Sequence, residues 1–172
     1  MKNATAPALK SFPALVSPQT RLLILGSFPG AASLKAQQYY GHPQNQFWRI
    51  LQAIWPSGAQ LAGVVSYKKR SEWLLEKKLG LWDVYAACER QGSLDSNIRN
   101  AVLNDFSGLR LRCPDLQAIA HNGGESFRHA KQTRPLGLAV YKLPSTSPAH
   151  ASWSFERKLA AWREVFDEQG LM

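Results

Sequence analysis

Four short apolar runs, residues 21–27, 79–85, 116–122 and 138–143, most constrain what this chain can fold into. Each is short enough for a buried strand, and the stretches between them carry helical spacing instead. Residues 47–55 put Phe47, Ile50, Leu51 and Ile54 on one helical face. Residues 66–78 form a charged amphipathic stretch around Trp73, Leu74 and Leu75, and residues 153–168 align Trp153, Leu159, Trp162, Val165 and Phe166. Further helical turns are expected over residues 97–103 and 125–131. Strands alternating with helices predict a layered α/β domain with a mostly parallel sheet. No repeat, low-complexity tract or linker divides the chain, so a single domain is expected, with residues 1–20 as an N-terminal extension and 21–170 as the core.

In such a sheet the ligand sits outside the carboxyl ends of the strands. The first run ends in Gly26-Ser27-Phe28-Pro29-Gly30, the second passes through Asp83, the third ends in His121-Asn122-Gly123-Gly124, and the fourth in Leu143-Pro144-Ser145-Thr146-Ser147-Pro148. Gly26 and Gly30 let backbone N–H groups approach a ligand closely, and Pro29 stiffens the turn between them. The segment Tyr39-Tyr40-Gly41-His42-Pro43-Gln44-Asn45-Gln46-Phe47-Trp48 follows, rich in aromatics and amides and nearly free of charge. It reads as the floor and wall of a pocket for a flat, polar ligand.

Charge and cysteine content narrow the partner. There are 21 Lys+Arg against 12 Asp+Glu, a formal net charge of +9, which favours a polyanion. Six Trp, five Tyr and seven Phe make nucleic acid the better reading, because aromatic rings stack on bases. The two cysteines, Cys88 and Cys113, lack metal-ligand spacing, so neither a disulfide scaffold nor a metal or iron–sulfur site is expected. Free thiols suit a reducing compartment, and the expected location is cytoplasmic, on the nucleoid in a bacterium. Residues 1–20 are broken by Pro7, Pro13 and Pro18 and do not read as a secretory signal, and no segment approaches transmembrane length. The sequon at Asn3-Ala4-Thr5 carries no weight without secretion.

The charged candidates at the strand ends are few: Asp83, His42, His121 and His150. A pocket of amides, backbone N–H groups and hydroxyls suits recognition of a base edge and orientation of a water better than covalent work. In their order along the chain, Gly26–Gly30, Tyr40–Trp48, His121-Asn122-Gly123 and Leu143–Pro148 resemble the motifs of the uracil-DNA glycosylase superfamily. The branch they resemble is that of the hypoxanthine-DNA, or DNA-deoxyinosine, glycosylases, over about residues 20–168.

The resemblance implies a three-layer α/β/α sandwich around a central, mostly parallel four-stranded sheet. It also implies a monofunctional, monomeric enzyme that needs no metal or cofactor, flips a deaminated base out of DNA and hydrolyses its N-glycosidic bond. In the related mismatch-specific uracil glycosylases an Asn at the third position of the first glycine turn positions the attacking water. This chain has Phe28 there, and the resemblance assigns the water-holding amide to Asn45. Backbone N–H groups near Ser27 and Phe28 would stabilise the departing base anion. Tyr40 would stack on the flipped base, and Asn122 would bond to the base edge or support the site. Asp83 would accept from the N1–H of hypoxanthine. Ser145, Thr146, Ser147 and His150 would grip the DNA backbone, beside N-terminal amides of the last helix.

Plainer readings stand beside these. Asn45 reads by itself as the N-cap of the helix that follows, and Asn122-Gly123 as a turn dipeptide. Asp83 reads equally as a structural carboxylate, Tyr40 as a core aromatic, and His42 and His121 as structural hydrogen-bonding residues. His150 stands where close relatives carry an asparagine. Lys68-Lys69-Arg70 reads as a solvated helix face, with a phosphate contact as the other option. Uracil as the main substrate, a non-catalytic nucleic-acid-binding module and an enzyme of free nucleotides are the alternatives in function.

Overall fold

The computed structural model describes residues 8–56 and 65–172. The sequon at Asn3 lies outside the described residues. The apolar runs form strands β2 (Leu22–Gly26), β3 (Leu79–Asp83), β6 (Ala118–Asn122) and β7 (Ala139–Leu143). They make one parallel sheet in the order β3-β2-β6-β7, with Gly26 level with Asp83 and Asn122 level with Leu143. All four carboxyl ends therefore meet on one edge, and the strand order reverses direction at β2, where a crevice opens.

Side chains of a strand alternate between faces, and two apolar clusters follow from that. Leu22, Ile24, Leu79, Leu81, Ala118 and Ala120 face one of them. It is closed by α2 (Phe47–Ile54), α3 (Tyr67–Glu76) and α7 (Phe155–Glu168), which contribute Phe47, Ile50, Leu51, Trp73, Leu74, Trp162 and Phe166. Leu23, Leu25 and Ile119 face the other, with Phe28, Phe106, Leu109 and Leu116. Ser66 caps α3 by accepting from the Lys69 N–H at 3.2 Å, and Ser154 caps α7 by accepting from Arg157 at 3.1 Å. The architecture is the three-layer α/β/α sandwich, with every pairing in the central sheet parallel.

The segment 97–103 is not helical. After a single 3₁₀ turn at Asp95–Asn97, residues Arg99–Leu103 form strand β5. It pairs antiparallel with β4 (Tyr85–Glu89), which pairs in turn with β1 (Ala8–Lys10). All five residues of β5 are exposed, so no apolar helical face exists to hold a helix there, whereas β4 supplies a ladder. The run 79–85 divides at Val84, where the chain leaves one sheet and enters the other. The expected helix over 125–131 is two single turns, α5 (Gly124–Phe127) and α6 (Ala130–Thr133).

Residues 8–20 pack along the β3 edge: Leu15 bridges Leu81, Ser11 Oγ donates to Asp83 Oδ2 at 2.9 Å, and Tyr39 donates its hydroxyl to the carbonyl of Pro13 at 3.0 Å. Cys88 and Cys113 are buried free thiols. No helix among the described residues is long and apolar enough to cross a membrane.

Candidate active site

A cavity of about 400 Å³ opens at the carboxyl edge of the parallel sheet. Residues from all the expected segments line it: Ser27 and Phe28, Tyr40, Asn45, Asp83, Asn122, and Ser145, Thr146, Ser147 and His150. Its size falls in the range of small-molecule and base pockets.

The floor is built by β2 and β3. Gly26 is there because a Cβ at that position would sit 2.7 Å from Asp83 Oδ1 and 3.3 Å from the Tyr40 hydroxyl. Asp83 is buried, with Ser11 donating to one oxygen. Burial pushes its carboxyl up to about 7, against the Ser11 hydrogen bond that pulls it down; Asp95 adds to the rise and Arg90 opposes it. Near neutral pH Asp83 is therefore divided between a donor and an acceptor form. Burial likewise raises the Tyr40 phenol, helped by the charge of Asp83, so that hydroxyl stays protonated.

Tyr40 forms one wall in a left-handed conformation, φ 54°, uncommon for a residue with a bulky side chain. Its ring stacks on Phe47 with centroids 4.2 Å apart, and its hydroxyl accepts from Asn122 Nδ2 at 3.2 Å. Such strain persists only where the surroundings hold it, and here an aromatic contact and a hydrogen bond do so.

The two amides differ. Asn45 is half-buried and is not the expected N-cap, a position held by Gln46; its Oδ1 accepts from the Phe47 N–H at 3.0 Å, an Asx turn at the entry to α2. The oxygen keeps a second lone pair. Asn122 is 9% exposed and more fully committed: Nδ2 donates both protons, to Tyr40 and to Thr146 Oγ1 at 3.0 Å, and Oδ1 accepts from the Thr146 N–H at 3.1 Å. Thr146 in turn accepts at its carbonyl from the Gln46 N–H at 3.0 Å. Gly123, at φ 96°, allows this turn, since a Cβ there would lie 3.0 Å from that of Ser145.

The 145–150 loop is organised by short-range bonds. Ser145 Oγ accepts from the Ser147 N–H at 3.1 Å, and Ser147 Oγ accepts from Ala149 at 3.2 Å. The His150 carbonyl accepts from Lys158 Nζ at 2.6 Å, a buried lysine of α7 whose burial lowers its pKa. His121 lies away from the cavity, on the second face. Its Nδ1 bonds Ser126 at 2.8 Å and its Nε2 bonds Thr133 at 2.9 Å. The Ser126 hydroxyl also donates to the Leu25 carbonyl at 2.8 Å and the Thr133 hydroxyl to the Ala130 carbonyl at 3.1 Å, so both ring nitrogens are held by side chains that are themselves anchored to the backbone. Burial lowers this imidazole to about 4, which keeps it neutral and structural. His42 lines the cavity, and its Nδ1 accepts from the Gln44 N–H at 3.0 Å. Lys68 and Lys69 are exposed on α3, while Arg70 folds over the Trp48 ring at 5.6 Å.

The sequence reading missed the opposite rim. The loop between β4 and β5 brings Ser93, Leu94, Asp95 and Ser96 to the cavity. Arg90, buried, ties it down: Nη2 donates to the Pro29 carbonyl at 2.6 Å and the guanidinium lies 5.2 Å from the Phe28 ring. The Phe28 ring packs in the second apolar cluster, which leaves its backbone as the part of the turn suited to a ligand. A lone arginine in a polar loop leaves no periodic trace in sequence, and only the signal of a basic residue before a Gly-Ser turn pointed there. Among the described residues no three His, Cys, Asp or Glu side chains converge to hold a metal.

Comparison with known proteins agrees with this geometry. The family model of the uracil DNA glycosylase superfamily matches residues 13–166. A protein of Methanosarcina acetivorans named hypoxanthine DNA glycosylase is 39% identical over 158 residues, covering 91% of this chain and 97% of the relative. Its namesake from Methanosarcina barkeri is 38% identical over 157 residues, with the same coverage of 91% and 97%. The solution NMR structure of a Methanosarcina acetivorans protein described as a candidate uracil DNA glycosylase superposes with a TM-score of 0.83 at 36% identity. That match covers 95% of this chain and 99% of the other. A parallel sheet whose four carboxyl ends close on an amide-lined pocket, together with these matches, places the chain in the uracil DNA glycosylase superfamily.

Proposed function

We propose that this chain is a monofunctional DNA glycosylase that removes hypoxanthine from deoxyinosine by hydrolysis and leaves an abasic site. The observation that carries the reading is the joint presence of Asn45, the Gly26–Gly30 turn and Asp83 around one base-sized cavity. The names of the relatives at 38–39% identity supply the substrate.

Cleavage of the glycosidic bond builds positive charge on the sugar and negative charge on the departing base. In this reading the Asn45 oxygen holds and orients the attacking water, using the lone pair left by the Phe47 contact. Backbone N–H groups at Ser27 and Phe28 face the base as its charge grows. Tyr40 walls the base. Asp83, with its carboxyl near 7, accepts from N1–H in its ionised form. Asn122 acts by holding Tyr40 and Thr146 in place. The hydroxyls of Ser145, Thr146 and Ser147 and the His150 ring meet the backbone of the strand that carries the lesion, a contact favoured by the net charge of +9. The enzyme works as a monomer on cytoplasmic DNA and uses no metal or cofactor.

Incubation with duplexes holding deoxyinosine, deoxyuridine or deoxyxanthosine, followed by alkali, tests the reading. Strand breaks at deoxyinosine are expected, at a higher rate than at deoxyuridine. No break with any of the three withdraws it.

A further inference from the structure

We propose that Arg90 is a buried cation placed behind the Gly26–Gly30 turn to stabilise the negative charge of the departing base. The inference rests on the base-excision reading above. Arg90 acts through the turn and not by touching the base, so it is a positioning residue.

Arginine is rarely buried without a carboxylate to pair with. Arg90 follows β4 directly, is 3% exposed, and makes no ion pair among the described residues. Neutral groups hold it instead. Nε donates to the Gly92 carbonyl at 2.9 Å and Nη2 to the Pro29 carbonyl at 2.6 Å, while Nη1 is buried with no partner. The guanidinium also lies 5.2 Å from the Phe28 ring. A neutral donor could fasten this loop without taking a full charge out of water. The charge sits instead against Phe28 and Pro29, two residues that line the cavity.

Two observations link that charge to the pocket. The Pro29–Gly30 peptide is trans, so its C=O and N–H point opposite ways. Arg90 holds the carbonyl, which turns the Gly30 N–H away from the guanidinium. Gly30 lines the cavity, and its N–H has no acceptor among the described residues. Polarising the carbonyl strengthens that N–H as a donor. The field of Arg90 also reaches the lining, where it opposes the rise of the Asp83 and Asp95 carboxyls. Asp83, with its carboxyl near 7, offsets the cation only in part at neutral pH.

Hydrolysis breaks the C1′–N9 bond and leaves its electron pair on the base, while the water oxygen bonds C1′ and sheds its proton to solvent. A cation fixed beforehand needs no reorganisation as that charge grows. A base that spreads the charge well by itself needs the cation less.

Single-turnover excision from duplexes holding hypoxanthine or 8-azahypoxanthine, at one pH, compares wild type with Arg90→Met, Arg90→Gln and Arg90→Lys. The extra ring nitrogen makes the second base the better leaving group and keeps its Watson–Crick edge, so a disturbance at Asp83 falls on both alike. Thermal unfolding shows which variants fold. Arg90→Met and Arg90→Gln are expected to lose about 30-fold or more on hypoxanthine and less than about fivefold on 8-azahypoxanthine. Arg90→Lys keeps the charge and is expected to stay within about tenfold of wild type on both. Equal losses on the two bases, unchanged rates, or an Arg90→Lys as slow as Arg90→Met overturn the inference and leave the glycosylase reading intact. Failure of both neutral variants to fold assigns Arg90 to the architecture and overturns it too. If wild type acts on hypoxanthine alone, the gap between Arg90→Lys and Arg90→Met decides. Wild type inert on both bases withdraws the glycosylase reading and this inference with it.

Discussion

Asn45 and Asn122 carry the same functional group to the lining of the same cavity, yet the protein has committed them differently. Asn45 spends one lone pair on the start of a helix and keeps the rest of its amide for whatever enters the pocket. Asn122 gives both amide protons and one lone pair of its oxygen to Tyr40 and Thr146. A polar group already satisfied by protein has little to offer a passing ligand, because a new bond must first break an old one. Residue type and strand-end placement point to a cavity, while the hydrogen bonds each side chain already makes show which amide keeps more bonding capacity for a ligand.

The largest effect is expected for Asn45→Ala. Excision of hypoxanthine should slow by about 100- to 1,000-fold with little change in DNA affinity, since water placement is lost and binding is not. Single-turnover rates and filter binding check this, and a pure affinity loss would break the contrast between the amides. Next comes Gly26→Ala, whose Cβ would press on Asp83 and the Tyr40 hydroxyl between the two walls. A loss of about tenfold or more in excision is expected, with a thermal midpoint lower than wild type. Asn122→Ala strips partners from the part-buried Tyr40 hydroxyl and from two groups of the buried Thr146, so denaturant titration should show a loss of about 1–3 kcal/mol. Its excision rate should fall far less than that of Asn45→Ala. Equal rate losses without destabilisation would assign Asn122 to the chemistry.

The smallest effects are in pH. Asp83 is held at about 7, above an ordinary carboxyl at 3.8, so between those values the folded protein binds a proton that the unfolded chain has released. Its contribution to stability is full below 3.8 and is lost as pH rises through 7, with a slope of at most about 1.4 kcal/mol per pH unit. His121 acts in the other direction: lowered to about 4 from 6.5, it contributes above 6.5 and loses that contribution as pH falls through 4. Urea midpoints across pH 4–8 should show Asp83→Asn removing the alkaline decline and leaving the acid one.

Much of this was legible in sequence because the central sheet is made of local apolar runs. Leu22–Gly26 and Ala118–Asn122 are buried on both faces, so their composition announces them and the residues that follow become the site. Ser27, Tyr40, Asn45, Asp83 and Asn122 line the cavity for that reason. The antiparallel sheet was not legible. Arg99–Leu103 is wholly exposed and β1 finds β4 across a long stretch of chain, so neither carries a period that marks its partner. The rim at Ser93–Ser96 was hidden with it. Asn45 shows a different case: the cap falls one residue later, at Gln46, while the Asn45 oxygen turns the chain into the helix and the residue lines the cavity.

The hydrogen bond from the Gln46 N–H to the Thr146 carbonyl has a mechanical consequence. It fastens the residue next to Asn45 to the 145–150 loop, the proposed contact with the DNA backbone. The loop and the amide are thereby linked mechanically: in the proposed reaction, a duplex that seats the loop badly would also mis-set the water. In that reading undamaged DNA at the rim would be spared by misalignment as much as by poor fit, and its glycosidic bonds would stay intact.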